Sequence, residues 1–217
     1  MNIDMIYPKK ENIRIWLIPF NLDKLENTSE EIFQIKNLPK NYANKFLYSR
    51  AYMRLALSDF LSIDPLKVPL YAPPQKPPRL KKDFGYISLS HCDDLILLVW
   101  SDKNIGVDIE RKDRKVSKYL VMKRFFKKYE ELYFSDTKSI NKNFMDIWVI
   151  NESIIKYQKT SLFLGIKDWE INLQNNKSIN LVNHQTLNTS TFEYGSWIIG
   201  MANINIKHLK NPAICMF

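Results

Sequence analysis

Apolar residues recur along this chain in two patterns: short runs or alternations typical of strands, and a helical period of about 3.6 residues. The first pattern predicts strands at 13–20, 86–90, 95–100, 105–110, 169–173, 178–182, 191–194 and 196–204. The second predicts helices at 29–37, 42–61, 117–126, 128–134 and about 144–161, with a polar loop at 135–143. Helix-then-strand order occurs twice, which hints at a duplicated unit without establishing a repeat.

Two segments in the first half of the chain place basic residues in a defined setting. The second predicted helix carries Lys45, Arg50 and Arg54 among its apolar positions, so we expect it to have a basic side. Four prolines between residues 70 and 82 predict a stiff, extended loop that presents Lys76. Taken by itself, Lys76 is better explained as a solvated linker lysine.

Composition bounds the class of protein. A chain of 217 residues with 45% hydrophobic and 13% aromatic residues predicts a globular protein with a substantial core. No apolar run reaches the length of a membrane span, and the first residues do not have the pattern of a signal peptide. Cys92 and Cys215 stand far apart and without metal-ligand spacing, which indicates neither a disulfide framework nor a zinc site. We therefore expect a cytoplasmic protein.

The charge balance favours an anionic partner. Lysine and arginine total 32 against 23 acidic residues, which gives a net charge of +9. Such an excess suits nucleic acid, an acidic protein or a phosphorylated small molecule. The positive charge is dispersed, with no dense basic tract interleaved with aromatic residues, and this argues against nucleic acid.

Acidic residues in two predicted elements suggest a metal site. Asp108 and Glu110 alternate along the strand at 105–110, so both side chains point to one face. Glu152 and Lys156 stand four residues apart in the last predicted helix and share a face of it. If that helix packs beside the strand, three carboxylates and an ammonium converge, which suits Mg²⁺ holding a phosphate. The alternative is a pair of solvated strand acids and an ordinary surface ion pair.

Four motifs follow one another in a fixed order. They are Ser90-His91, then Ile105-Gly106-Val107-Asp108-Ile109-Glu110, then Arg124-Phe125-Phe126 with Glu130, then Trp148 through Lys156. Taken jointly, they resemble the 4′-phosphopantetheinyl transferase superfamily in its longer, single-chain, surfactin-type branch. The resemblance implies an α+β protein of two similar α/β half-domains in a pseudo-twofold arrangement, at 1–102 and 103–217. Coenzyme and metal would then lie in the cleft between the two.

The resemblance also implies a reaction, the transfer of 4′-phosphopantetheine from coenzyme A to a serine of an acidic apo acyl or peptidyl carrier protein. Asp108, Glu110 and Glu152 match the family's Mg²⁺ ligands. Glu152, or a water that it orients, would take the proton of the serine, and Lys156 would steady the pyrophosphate. We expect a monomer, with neither membrane nor nucleic acid as a partner.

Coenzyme contacts follow from the same resemblance. Ser90 and His91 match a strand end that contacts the coenzyme, so the resemblance implies that both residues bind it. The histidine would contact the coenzyme phosphates, including the ribose 3′-phosphate. Lys76 resembles the lysine of a loop beside the adenine, and Lys45 and Arg50 would contact the 3′-phosphate in a loose register. Without the family context, a histidine after a strand is more often a capping or packing residue.

The sequence departs from the family at two places. Asn151 stands where the family usually has lysine, and Lys159-Thr160-Ser161 replaces the usual glycine-lysine-glycine turn. One phosphate-side cation is therefore expected to be missing, and Lys159 is the candidate to compensate for it. Two other functions stay open: a catalytically weakened member that binds coenzyme A or a carrier, and a basic metal-dependent nuclease that uses the same three acids.

Overall fold

The computed structural model describes residues 13–20, 26–92, 95–115, 117, 120–122, 137–160, 166–204 and 214–216. The strands are β1 (Ile13–Pro19), β2 (Leu70–Tyr71), β3 (Arg79–Leu80), β4 (Tyr86–Cys92), β5 (Leu95–Ser101), β6 (Ile105–Arg111), β7 (Trp169–Asn172), β8 (Lys177–Asn180), β9 (Thr186–Tyr194), β10 (Trp197–Asn203) and β11 (Ile214–Met216). The α-helices named below are α1 (Ser29–Gln34), α2 (Lys40–Leu61) and α3 (Thr137–Gln158). Short 3₁₀ turns lie at Pro65–Lys67 and Ile166–Asp168.

Strand β5 forms the centre of a four-stranded sheet of order β11-β1-β5-β4. All of its residues are buried, because both faces of this sheet are covered. On one face Ile96, Leu98 and Trp100 pack with residues of α2 such as Met53. The opposite face contributes apolar residues, Leu97 among them, to a core shared with β6 and β10. The alternation that predicts this strand thus places its two sets of side chains in two different cores.

A second, five-stranded antiparallel sheet has the order β6-β10-β9-β8-β7, and α3 packs on it. Two glycines allow the helix to approach the strands. A Cβ atom on Gly106 would lie 1.9 Å from the carbonyl oxygen of Ser153, and one on Gly200 would lie 2.4 Å from that of Val149. The backbone of α3 therefore contacts β6 and β10 directly. Since side chains alternate along β6, the face that carries Gly106 is also the face of Asp108 and Glu110.

The α+β class is confirmed, and each predicted strand overlaps an observed one, although β9 begins at Thr186, well before the predicted start at 191. Strand β11, from the end of the chain, pairs in parallel with β1, so the first sheet contains strands from both sides of residue 102. The division into half-domains at 1–102 and 103–217 and their pseudo-twofold relation stay predictions. Within the described ranges, no helix combines the length and the apolarity that crossing a bilayer requires.

One of the helix predictions needs a correction, and two others lie mostly outside the described residues. Helix α3 begins at Thr137, so most of the polar segment 135–143, predicted as a loop, is helical. Polar residues without proline or glycine do not stop a helix, although they hide its period. The predicted helices at 117–126 and 128–134 lie outside the described residues except at 117 and 120–122, the latter being helical. Arg124, Phe125, Phe126 and Glu130 also lie outside them.

The proline-rich loop is a hairpin and not an extended segment. Leu70 pairs with Leu80, Gln75 at its tip has a left-handed φ of 59°, and the amide of Lys76 donates to the carbonyl of Pro73 at 3.4 Å. The prolines stiffen the two arms of the hairpin, and the chain reverses direction at Gln75. Lys76 follows Gln75 and therefore lies at the tip of the hairpin.

The predicted basic side of α2 is also wrong for two of its three residues. Arg50 and Arg54 are buried, with 8% and 5% of their surfaces exposed. Arg54 donates to the carboxylate of Glu31 and to the carbonyl of Val68, both at 2.8 Å. A guanidinium whose donors are all matched can be buried, a possibility that hydropathy patterns do not register. Lys45, in contrast, is exposed.

Candidate active site

A cavity of about 800 Å³ lies where α2, the hairpin, β4, β6 and α3 meet. Every residue predicted for the site lines it, on several elements that are distant in sequence. These residues are Lys45, Arg50, Lys76, Ser90, His91, Asp108, Glu110, Glu152 and Lys156. The prediction that strand and helix acids converge with a cation is therefore met in the geometry, while the role of each residue stays a proposal.

Asp108 is the most buried acid of the cavity, with 5% of its surface exposed. Its Oδ1 accepts from Lys156 Nζ at 2.6 Å and from Ser90 Oγ at 2.7 Å. Lys156 Nζ also donates to Ser90 Oγ at 2.7 Å, which closes a three-residue cluster. The other oxygen, Oδ2, is buried without a hydrogen-bond partner among the described residues. Asp108 thus keeps one oxygen free for a ligand.

Two serines of β4 form hydrogen bonds to residues of β6 beside this cluster. Val107 donates its backbone amide to Ser88 Oγ at 3.1 Å, and Ser90 Oγ donates to Asp108. These strands belong to different sheets, so side chains supply the contacts that a backbone ladder would otherwise make. The hydroxyl group of Ser90 donates to Asp108 and accepts from Lys156. The predicted contact of Ser90 with coenzyme stays a prediction.

Glu110 is held at both carboxylate oxygens. Its Oε1 accepts from Arg114 Nη1 and from Trp148 Nε1, the latter at 3.3 Å, and Cys92 Sγ lies 3.6 Å from its Oε2. Burial raises the pKa of Glu110, and so does the charge of Asp108, whereas Arg114, Trp148 and Cys92 lower it. The net shift is upward.

Glu152 has the most perturbed carboxyl group of the cavity. Burial raises its pKa to about 7, helped by the negative charges of Asp108 and Glu110 and opposed by Lys156 and Arg114. A carboxyl group with a pKa near neutrality exchanges protons readily at physiological pH. Glu152 is thus suited to take a proton from a substrate.

His91 lies at the end of β4 on the wall of the cavity. Partial burial, together with the positive charges of Lys156 and Lys45, lowers its pKa, while a backbone hydrogen bond and Asp108 act in the opposite direction. The imidazole is therefore neutral at physiological pH in the absence of a ligand. A phosphate bound beside it would favour the protonated form.

The acids are not arranged as a completed metal site. Among the described residues, no group of three His, Cys, Asp or Glu side chains is positioned to hold one ion. Lys156 and Arg114 occupy one oxygen each of Asp108 and Glu110. The donor set nevertheless fits Mg²⁺, because it consists of oxygens only and includes the unpaired Oδ2 of Asp108.

The part of the cavity formed by α2 and the end of β1, called its aromatic end below, is lined by aromatic residues, a feature that the sequence alone did not indicate. Phe20, Tyr42 and Phe46 line it, and the guanidinium of Arg50 lies 4.2 Å from the ring centroid of Phe46. Arg50 Nε donates to the carbonyl of Ala72 at 2.8 Å, which fixes the side chain against the hairpin. Burial lowers the pKa of Arg50 to about 10, so it stays positively charged at neutral pH. This end suits a planar heteroaromatic group.

Asn151 does not occupy the place expected for it. Only 1% of its surface is exposed, it is not among the residues that line the cavity, and its Nδ2 is buried without a hydrogen-bond partner among the described residues. The expected loss of a phosphate-side cation at this position is therefore wrong for this fold. Lys159 does line the cavity, after the last turn of α3, with a left-handed φ of 56°.

Residues 104–206 match the family model of the 4′-phosphopantetheinyl transferase superfamily. The matched segment contains β6, α3 and the rest of the second sheet, and with them the three acids and Lys156. Lys45, Lys76, Ser90 and His91 lie outside it. No curated protein sequence matches the chain. Assignment to the surfactin-type branch stays a prediction.

Proposed function

We propose that this protein transfers the 4′-phosphopantetheine group from coenzyme A to a serine of an apo carrier protein, as a Mg²⁺-dependent holo-[acyl-carrier-protein] synthase. The observation that carries the proposal is the cavity itself. It joins the acids of the family-matched segment to cations and an aromatic end contributed by the first half of the chain. A coenzyme with a pyrophosphate, a ribose phosphate and an adenine needs those three environments together.

Asp108, Glu110 and Glu152 would hold the metal. Bound Mg²⁺ would neutralise the pyrophosphate oxygens and make the β-phosphorus more electrophilic. The protein's own cations add to this: Lys156 lies among the acids, and Lys159 lies on the same wall of the cavity. Both would stabilise charge on the bridging oxygen as it becomes a leaving group.

The adenosine part would lie toward α2 and the hairpin. Tyr42 and Phe46 offer faces for the adenine, while Lys45, Lys76 and Arg50 provide positive charge for the 3′-phosphate. His91 stands between these cations and Lys156, where it can donate a hydrogen bond to a phosphate oxygen. Ser90 acts through Asp108 and Lys156 in this arrangement.

Glu152 would act as the general base. It takes the proton of the carrier serine, directly or through a water that it orients, while the serine oxygen forms a bond to the β-phosphorus. The bond from that phosphorus to the bridging oxygen breaks, and adenosine 3′,5′-bisphosphate leaves with the electron pair. Glu152 lines the cavity together with Asp108 and Lys156, which supports this role.

The carrier is proposed to be acidic, because a net charge of +9 speeds encounter with an anionic protein. We further propose a single-chain monomer of the surfactin-type branch that acts in the cytoplasm. No observation specifically favours a nuclease that uses the same acids, since the cavity has an aromatic end and the positive charge is dispersed.

Incubation with coenzyme A, Mg²⁺ and several apo carriers, followed by intact-mass measurement, tests the proposal. We expect at least one carrier to gain the mass of one phosphopantetheine group, with no gain in EDTA or on a carrier whose serine is replaced by alanine. Binding of coenzyme A without transfer to any carrier would favour a catalytically weakened protein. Mg²⁺-dependent cleavage of DNA without transfer would favour the nuclease.

A further inference from the structure

Arg114 follows β6 in a tight turn that brings it back over the end of the strand. Its amide donates to the carbonyl of Arg111 at 3.2 Å, and its Nη1 forms an ion pair with Oε1 of Glu110. The side chain of Arg114 is 45% exposed, whereas that of Glu110 is 12% exposed. The exposed Arg114 side chain can therefore move into solvent, whereas the largely buried Glu110 carboxylate has to remain in the wall of the cavity.

The pairing conflicts with metal binding. Oε1 of Glu110 accepts from both Arg114 and Trp148, and Cys92 Sγ lies near Oε2, so donors face both oxygens of the carboxylate. Mg²⁺ demands a carboxylate lone pair in a strict octahedral geometry. Trp148, which is neutral, can keep its bond beside a metal ion. Arg114 cannot remain as close, because its positive charge would oppose that of the ion.

We propose that Arg114 competes with the metal for Glu110 and so limits the affinity of the site for Mg²⁺. This inference rests on the metal site of the proposed function. Arg114 is a positioning residue that acts through Glu110: it holds the acid in place while the metal is absent and leaves when the metal binds.

A second cavity, of about 530 Å³, lies beside Arg114 and gives its side chain room to move away from Glu110. Its lining includes His91 and Glu110, shared with the first cavity, together with Arg111, Arg114 and Lys115.

The test compares the affinity for Mg²⁺ alone, measured by calorimetric titration without coenzyme, in the native protein and two variants. Arg114→Gln removes the competitor. Lys112→Gln is the matched control, since Lys112 lies in the same turn, makes an exposed ion pair with Glu193 at 2.7 Å, and loses the same charge. At about pH 8, where protons compete less for the carboxylates, we expect Arg114→Gln to bind Mg²⁺ about two- to fivefold more tightly than Lys112→Gln.

Two further comparisons separate competition from a structural role. Arg114→Lys keeps the charge and should return the affinity toward the native value. The advantage of Arg114→Gln over the control should shrink as salt is added, because an exposed ion pair is screened. A structural residue would change the melting temperature without raising metal affinity.

Equal, measurable affinities in Arg114→Gln and Lys112→Gln would overturn the inference and leave the metal site of the proposed function in place. Absence of Mg²⁺ binding in all of these proteins would overturn both.

Discussion

Lys156 Nζ lies 2.6 Å from Asp108 Oδ1, and this ion pair joins α3 to β6 at the centre of the cavity. The side chain of Lys156 is 29% exposed and that of Asp108 is 7% exposed, so the lysine faces the open space while it neutralises a buried acid. In the proposed reaction the same ammonium would turn to the pyrophosphate once a metal ion satisfies Asp108.

Lys156→Met tests that double role, because methionine keeps much of the length of the side chain without its charge. We expect the transfer rate to fall by about two orders of magnitude, as is typical when an electrostatic contact to the transition state is removed. The metal-free protein should lose about 2 kcal/mol of unfolding free energy, because a buried carboxylate loses a charged partner. Transfer kinetics and chemical denaturation in EDTA measure the two effects, and an unchanged rate would contradict the assigned role.

Glu152 makes stability depend on pH. Its pKa rises from 4.5 in a model peptide to about 7 in the fold, so between these values the folded state holds a proton that the unfolded chain releases. The free energy of unfolding must therefore fall as the pH rises through this window. Glu152→Gln lacks the effect, so in EDTA its melting temperature should match the native one near pH 4.5 and exceed it near pH 8.

Melting curves of both proteins across that range check the prediction. A difference in melting temperature that does not change with pH would show that the pKa of Glu152 is not raised. Adding Mg²⁺ near pH 8 should stabilise the native protein more than Glu152→Gln, because only the native protein keeps the third carboxylate.

Asn151→Lys should not raise the rate of the proposed transfer, although the family pattern alone suggests that it would. The position is buried, so the variant places an ammonium in the core. We expect a loss of about 3 kcal/mol or more in unfolding free energy and no gain in transfer rate. Asn151→Ala is the control and should cost much less. A faster enzyme with an unchanged melting temperature would mean that the side chain reaches the cavity after all.

Lys159 allows charge and backbone strain to be separated. With a φ of 56°, it adopts a left-handed conformation that costs glycine less free energy than any residue with a Cβ atom, alanine included. Lys159→Gly and Lys159→Ala should weaken coenzyme A binding equally, because both remove the cation. Lys159→Gly should be the more stable of the two by about 1 kcal/mol. Calorimetric titration with coenzyme A and melting curves test this, and native affinity in both variants would remove Lys159 from the site.

Much of this site is predictable from sequence. The alternation of side chains along a strand shows which residues of β6 share a face, and helical spacing shows the same for α3. Asp108 with Glu110, and Glu152 with Lys156, follow directly from those periods. The contact between β6 and α3 does not follow from those periods. It depends on the close approach of the α3 backbone to Gly106, and the sequence does not reveal which element packs against a glycine.

The wrong predictions have equally specific causes. Successive residues of a helix are about 100° apart, so Asn151 does not share the face of Glu152 and Lys156. The helical spacing alone therefore indicates that Asn151 points away from the cavity. Arg54 is buried because Glu31 and backbone carbonyls lie within its reach, which only tertiary structure shows. Arg114 carries no sequence signal, since its pairing with Glu110 arises from the turn after β6.

The most direct test of the central claim compares Asp108→Asn with Asp113→Asn in the carrier-modification assay. Both substitutions remove one negative charge, but Asp108 lies buried among the proposed metal ligands, whereas Asp113 is exposed and paired with Arg111. We predict that Asp108→Asn loses transfer by at least about 100-fold and also loses the stabilisation by Mg²⁺, while Asp113→Asn stays near the native rate. Full transfer by Asp108→Asn would contradict the account.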